Sequence, residues 1–301
     1  MFFLGEGAAL AGSALWGISS YFYGNIVRSI RPSKMNLVKN IYAACCFGLV
    51  CLCFRIPTSG LGMHETVALF LSGMIGIGLG DTVWFLSLKY LPVHSVLVVG
   101  TLSPIVTALF AWALIGEALS FFAWISMLLT MCGIVVVVSE RQEKSASLAK
   151  SDYRTRILGI GLVVLAVLLG AVSNVITRSV FATAEISPFW SGFLRLIAGM
   201  LVALFAVVFF RGAAKSDPKV AKVVYLKLLF AASLGTVVGI FCQQTAFKYA
   251  SAGVAQALMS TTPIFAIGFL FFTGRRPSSR ALIGSAIATL GVVGLVLSKD
   301  F

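Results

Sequence analysis

Apolar residues run along this chain in long continuous blocks rather than in alternation, and short polar connections separate the blocks. A helix needs about 20 consecutive apolar residues to cross a bilayer core, and runs of that length recur from Ala8 to Leu297. They predict ten transmembrane helices, over 8–28, 36–54, 66–88, 93–115, 119–139, 157–181, 187–210, 223–247, 252–273 and 279–297. Helices follow rather than a barrel because the runs are continuous, and a helix satisfies its own backbone hydrogen bonds in lipid. The expected fold is an all-α integral membrane protein. The opening MFFLGEG carries no Lys or Arg, so it lacks the basic region of a cleavable signal and the first helix is expected to be retained.

The pattern also repeats. LKYLPVHSVLVVGTLSPI (88–105) aligns with FKYASAGVAQALMSTTPI (247–264) at a constant shift of 159 residues, pairing Lys89 with Lys248, Tyr90 with Tyr249 and Pro104 with Pro263. The same shift puts Ser72, Gly76 and Gly80 on Ala231, Gly235 and Gly239. A small residue at every fourth position lines one helix face and lets a neighbouring backbone come close. These glycines therefore predict packing; GIGLG lacks the strand-to-helix switch of a nucleotide fingerprint. Each half holds five helices, an odd number, so halves of one fold lie in opposite orientations. The expected organisation is two inverted five-helix repeats, 1–140 and 157–301, joined by a basic cytoplasmic linker at 141–156.

Charge sharpens this picture. The chain is 59% hydrophobic and 11% charged, with a formal net charge of +13. A basic surface of that size suggests nucleic acid, but 18 of the 23 Lys and Arg fall in alternate connections and the helix ends beside them. That is the distribution of loops held in the cytoplasm, and it places RQEKSASLAKSDYRTR (141–156) inside and both chain ends outside. The six cysteines all fall within predicted helices without ligand spacing, and no metal or cofactor site is expected.

These residues resemble a known family. LWG (15–17) in the first helix, LKYLPVHSVLVVGTLSPI running into ALIGEALS (113–120), and a second copy ending in FLFFTGRRPS are similar to the EamA family of the drug/metabolite transporter superfamily. The most specific element is a fourth helix with a central Pro and a terminal Gly-Glu, here Pro104 and Gly116-Glu117. The second half keeps Pro263 but has Arg275-Arg276 in place of Gly-Glu, so any role of Glu117 need not be duplicated. The resemblance implies secondary transport of small metabolites across the bacterial inner membrane, often as an exporter, and leaves the substrate open.

Inverted-repeat carriers place their substrate site near the midplane, at helices interrupted in matching positions. Pro104 and Pro263 are such interruptions, each leaving a carbonyl four residues earlier, at Gly100 or Met259, without its donor. Among the ten acids only Asp81 lies deep in a predicted helix, where an ionised group must face the bundle interior, find a partner or take a proton. Trp84 is one turn on, on the same face. Arg195 is the corresponding deep cation, able to pair with Asp81 or bind a substrate carboxylate. A shift of 156 aligns it with Lys39, which suggests an architectural basic position in both halves. Asn174, Gln243, Gln244 and Gln256 are neutral hydrogen-bonding groups at depth. Tyr21, Tyr23 and Asn25 form a stripe on the first helix that fits the interfacial aromatic belt better than the pathway.

The expected activity is alternating-access transport of a small polar, amino-acid-like metabolite, with a proton as candidate coupling ion. The lipid bilayer is the medium, no nucleic acid is involved, and the expected state is a monomer or weak homodimer. Two alternatives stand beside it: a flippase for a lipid-linked substrate, and a non-transporting scaffold or sensor. An enzyme is not expected, because paired carboxylates, a Ser-His set and a metal cluster are absent from the sequence. The topology has a direct test: a compartment-specific reporter fused after Phe301 is expected to be active outside the cytoplasm, and activity only inside refutes the orientation.

Overall fold

The computed structural model describes residues 3–91, 93–145, 153–209, 221–265 and 279–298, which form an all-helical molecule. In chain order the helices are α1 (Leu4–Ile26), α2 (Pro32–Cys53), α3 (Met63–Tyr90), α4 (Val93–Gly100), α5 (Ser103–Ile115), α6 (Phe121–Ser145), α7 (Tyr153–Thr183), α8 (Pro188–Phe209), α9 (Lys222–Tyr249), α10 (Ala252–Met259) and α11 (Ser279–Leu297). Seven of the described segments are long and apolar enough to cross a membrane. The fourth sequence span is split between α4 and α5, and the ninth is α10 followed by a helix resuming at 262. The rest of that span, residues 146–152 of the linker, and Arg275-Arg276 lie outside the described residues.

Pro32 and Pro188 open α2 and α8, the second helix of each half, at the same repeat position. Proline is favourable there because the first helical N–H has no intrahelical partner to lose. The third helix of each half widens into a π turn, Met74–Gly80 in α3 and Ser233–Val238 in α9, again at one repeat position. A widened turn disturbs the regular pairing of carbonyls, and side chains from neighbouring helices supply donors. Asn36 Nδ2 donates to the carbonyls of Ile77 at 2.8 Å and Gly78 at 3.2 Å. In the other half Trp16 Nε1 donates to the Gly235 carbonyl at 2.6 Å.

The fourth helix breaks at 101–102 and the ninth at 260–261, positions related by the 159-residue shift. Thr101 and Thr261 hydroxyls each bond back to the carbonyl three residues earlier, at 2.6 Å in both cases. Thr262 donates to the Met259 carbonyl at 2.8 Å, replacing the donor that Pro263 lacks.

Contacts between helices follow a pseudo-two-fold exchange of the halves. α1 packs on α9 as α7 packs on α3; α10 packs on α1 as α4 packs on α7; α2 meets α8, and α6 meets α11, across the axis. With an odd number of crossings per half, equivalent helices run in opposite directions, so the repeat is inverted. The small-residue ladders sit at these crossings. A Cβ on Gly239 would lie 2.6 Å from Trp16 Nε1, and one on Gly76 would run into the Ser173 side chain. Large apolar residues such as Leu52, Trp112 and Phe121 face outward, while Asn36, Lys39, Thr107, Ser173 and Arg195 are buried. That is the arrangement expected when lipid is the solvent. Gly76→Val is expected to lower the unfolding midpoint in detergent, losing about 1–3 kcal/mol to overpacking against Ser173. Gly161→Ala, where an added Cβ meets nothing within 4 Å, is expected to leave that midpoint unchanged.

Candidate functional site

The π turn of α3 and the breaks after α4 and α10 converge on a cavity of about 300 Å³, whose wall also takes side chains from α1, α2, α7, α8 and α9. Asp81, Trp84, Asn174, Arg195, Gln243, Gln256 and Pro263 all line it. Pro104 does not; it is buried in the packing at the start of α5.

Asp81 follows the π turn directly and presents its carboxylate to the cavity, with 40% of the side chain exposed. Its partner is not Arg195. Lys39 Nζ lies 2.7 Å from Asp81 Oδ2, donates to Asn40 Oδ1 at 3.1 Å, and sits 5.8 Å from the centre of the Phe85 ring. With 3% of its side chain exposed, Lys39 is deep in the bundle. The sequence pattern counted it with a cytoplasmic connection, so that assignment is corrected. Arg195 is buried as well, and its Nη2 donates to Ser173 Oγ at 2.9 Å. Ser173 in turn donates to the Ser72 carbonyl at 2.7 Å, which fixes the guanidinium against α3. Among the described residues, Nε and Nη1 of Arg195 meet no hydrogen-bond partner.

The amides separate into two groups. Asn174 Nδ2 donates to Gln256 Oε1 at 2.9 Å, and Gln256 Nε2 donates to Ser103 Oγ at 3.0 Å, so these two residues tie α7, α10 and the start of α5 together. Gln244 accepts from Ser191 at 2.7 Å and serves the α8–α9 contact. Gln243 keeps its place on the cavity wall. Trp84 lays its ring against Gly100, where a Cβ would come within 2.9 Å of it, and so covers the last turn of α4. Tyr23 belongs to the wall rather than the interfacial belt: it is buried, and its hydroxyl bonds Thr236 Oγ1 at 2.9 Å, whereas Tyr21 is exposed.

A cavity between inverted halves with charged and amide side chains on its wall suits a carrier, and sequence comparison decides the matter. The profile of the EamA-like transporter family matches residues 3–139 and, a second time, residues 157–297. The chain belongs to the EamA-like transporter family. An "Uncharacterized transporter" of Archaeoglobus fulgidus is 24% identical over 293 residues, covering 96% of each chain. A solved crystal structure with 16% sequence identity superposes with a TM-score of 0.77 over 97% of this chain and 98% of its own, showing a shared fold. This is a multi-pass membrane transporter, and the EamA family is one of transport rather than catalysis.

The Gly-Glu element that carried the resemblance has a physical role in this EamA fold. Gly116 ends α5 in the left-handed region at φ 70°, the turn that glycine makes without strain. The chain then delivers Glu117, whose Oε1 accepts from Arg178 Nε at 2.5 Å and whose Oε2 accepts the Ala252 N–H, at the start of α10, at 2.9 Å. Arg178 Nη1 adds bonds to the carbonyls of Phe247 and Lys248, at 3.0 and 3.2 Å, where α9 ends. One acid and one cation thus join the end of α5 to both sides of the α9–α10 corner.

Sequence reasoning missed Lys39, Tyr23 and Arg178 as working parts. The signal for Lys39 was its alignment with Arg195; the partner of Glu117 had no local signal, since 61 residues separate the pair. Glu117→Gln keeps the shape but removes the charge, and Arg178 is then left largely buried without its acid. The expected loss is about 2–4 kcal/mol in unfolding free energy, read by thermal or denaturant unfolding in detergent. A double-mutant cycle with Arg178→Gln is expected to show coupling above about 1 kcal/mol.

Proposed function

We propose that this EamA transporter is an alternating-access carrier that exports small polar, amino-acid-like metabolites across the bacterial inner membrane, with Asp81 as its proton-coupling group. The observation that carries this reading is the convergence of matched helix breaks from both halves on one cavity holding Lys39, Asp81 and Arg195. Broken helices place polar backbone at the membrane centre, where it is tolerated only in buried or cavity-lining positions. A cavity of about 300 Å³ is at the small end of ligand sites, roughly 300–1,000 Å³, which suits a metabolite of amino-acid size better than a lipid-linked substrate.

In this reading 1–140 and 157–301 are the two rocking halves, 141–156 is their cytoplasmic connection, and both termini lie outside. Asp81 is the coupling candidate because it is the one acid on the described cavity wall and its carboxylate is open to the cavity while held by Lys39. A proton on Asp81 would release Lys39, so protonation and the state of the cavity would be linked.

Metabolite profiling inside and outside cells with and without the gene identifies the substrate and direction. Transport of that substrate into vesicles is then compared between the wild type and Asp81→Asn. The variant is expected to insert and fold but to lose about ten-fold or more of its pH-gradient-driven rate, a barrier change of roughly 1.4 kcal/mol. Full proton-dependent transport by Asp81→Asn refutes the coupling role, and unchanged metabolite profiles refute the carrier.

A further inference from the structure

The cavity has an unbalanced charge. Lys39, Asp81 and Arg195 are the only ionisable Lys, Arg, Asp or Glu on its described wall, so with all three ionised it carries a formal +1. Lys39 and Arg195 stand at equivalent positions of α2 and α8, whereas Asp81 corresponds to Ile240, which also lines the cavity. The duplicated scaffold thus brings two cations to the centre and supplies one acid. That acid sits on Lys39, and the surplus charge falls to Arg195.

The hydrogen bonding agrees with this count. Lys39 has two oxygen partners, Asp81 and Asn40. Arg195 has one neutral partner, Ser173, and leaves Nε and Nη1 unmet although the residue is 2% exposed. A charged donor that is buried and short of acceptors calls for an anion more strongly than for a neutral or cationic group.

We propose that Arg195 and Lys39 together form an anion subsite, that the ligand is a small organic anion bearing a carboxylate or phosphate group, and that Asp81 is the internal counter-ion which this ligand displaces from Lys39. The inference rests on the carrier reading of the cavity and names the charge class of what the cavity holds. Asp81 is the more exposed member of its pair, so the ligand meets it first and takes its place as it turns away. The bound state then has a ligand oxyanion between two repeat-related cations, and Asp81 is free for a proton or for a cationic group of the same ligand. Bringing the anion to Arg195 requires a shift of the surrounding helices, because Nε and Nη1 are closed off in this conformation.

The test is ligand-dependent thermal unfolding of the purified full chain in detergent, at constant ionic strength. The probes are succinate, inorganic phosphate and 1,4-diaminobutane, which separate carboxylate, phosphate and cation. Either or both anions are expected to raise the midpoint saturably, while the diamine does not. Asp81→Asn removes the competing carboxylate and is expected to lower the half-saturating anion concentration by about ten-fold. Arg195→Gln is expected to abolish the effect of the anions. Since Asp81→Asn alone leaves Lys39 uncompensated, Lys39→Met combined with Asp81→Asn serves as the neutral control. That double variant is expected to respond to anions more weakly than Asp81→Asn.

Stabilisation by the diamine instead of the anions, no response to any probe in wild type and Asp81→Asn, or anion binding unchanged by Asp81→Asn overturns the proposal. Anion binding in a protein that moves no metabolite leaves the subsite standing and removes the carrier. Transport of a substrate without any anion response does the reverse.

Discussion

Lipid offers no hydrogen bonds, and every break in a helix must therefore be closed by the protein itself. Most features of this molecule descend from that constraint. The π turns of α3 and α9 need donors, which Asn36 and Trp16 provide, and the breaks after α4 and α10 need hydroxyls, which Thr101, Thr261 and Thr262 provide. Polar side chains are drawn to the centre first to mend backbone. Only then is there a polar space in which an Asp, a Lys and an Arg can be held.

The same constraint explains what the sequence discloses. Hydrophobic block length locates the crossings, because lipid-facing residues such as Leu52 and Phe121 must be apolar whatever they pack against. The repeat shift locates the breaks, since Pro104 and Pro263 mark equivalent turns. The pairings are less legible. Asp81 was recognisable as an isolated deep acid, yet its partner proved to be Lys39 in α2 rather than Arg195, because proximity in a bundle depends on helix rotation that composition does not record. Tyr23 was unreadable for a related reason: an aromatic near a helix end looks interfacial until the neighbouring helix presents Thr236.

Symmetry and its breaking divide the labour. Features present in both halves, namely the small-residue ladders, the π turns, the opening prolines of α2 and α8 and the central cations, build the vessel. Features present in one half make the halves chemically unlike. Asp81 has only Ile240 opposite it in the repeat, and in sequence Gly116-Glu117 corresponds to Arg275-Arg276. A perfectly symmetric pair of halves would have no intrinsic difference between its inward-open and outward-open states.

The matched π turns also record history. A widened turn represents an extra residue within a helix, and Met74–Gly80 and Ser233–Val238 begin at positions related by the same 159-residue shift as the prolines downstream. Parsimony places the widened turn before the ancestral five-helix unit was copied. The carboxylate directly after it, found in one copy alone, belongs to a different stratum: it was gained or lost after the copies parted, when each half could change without its twin.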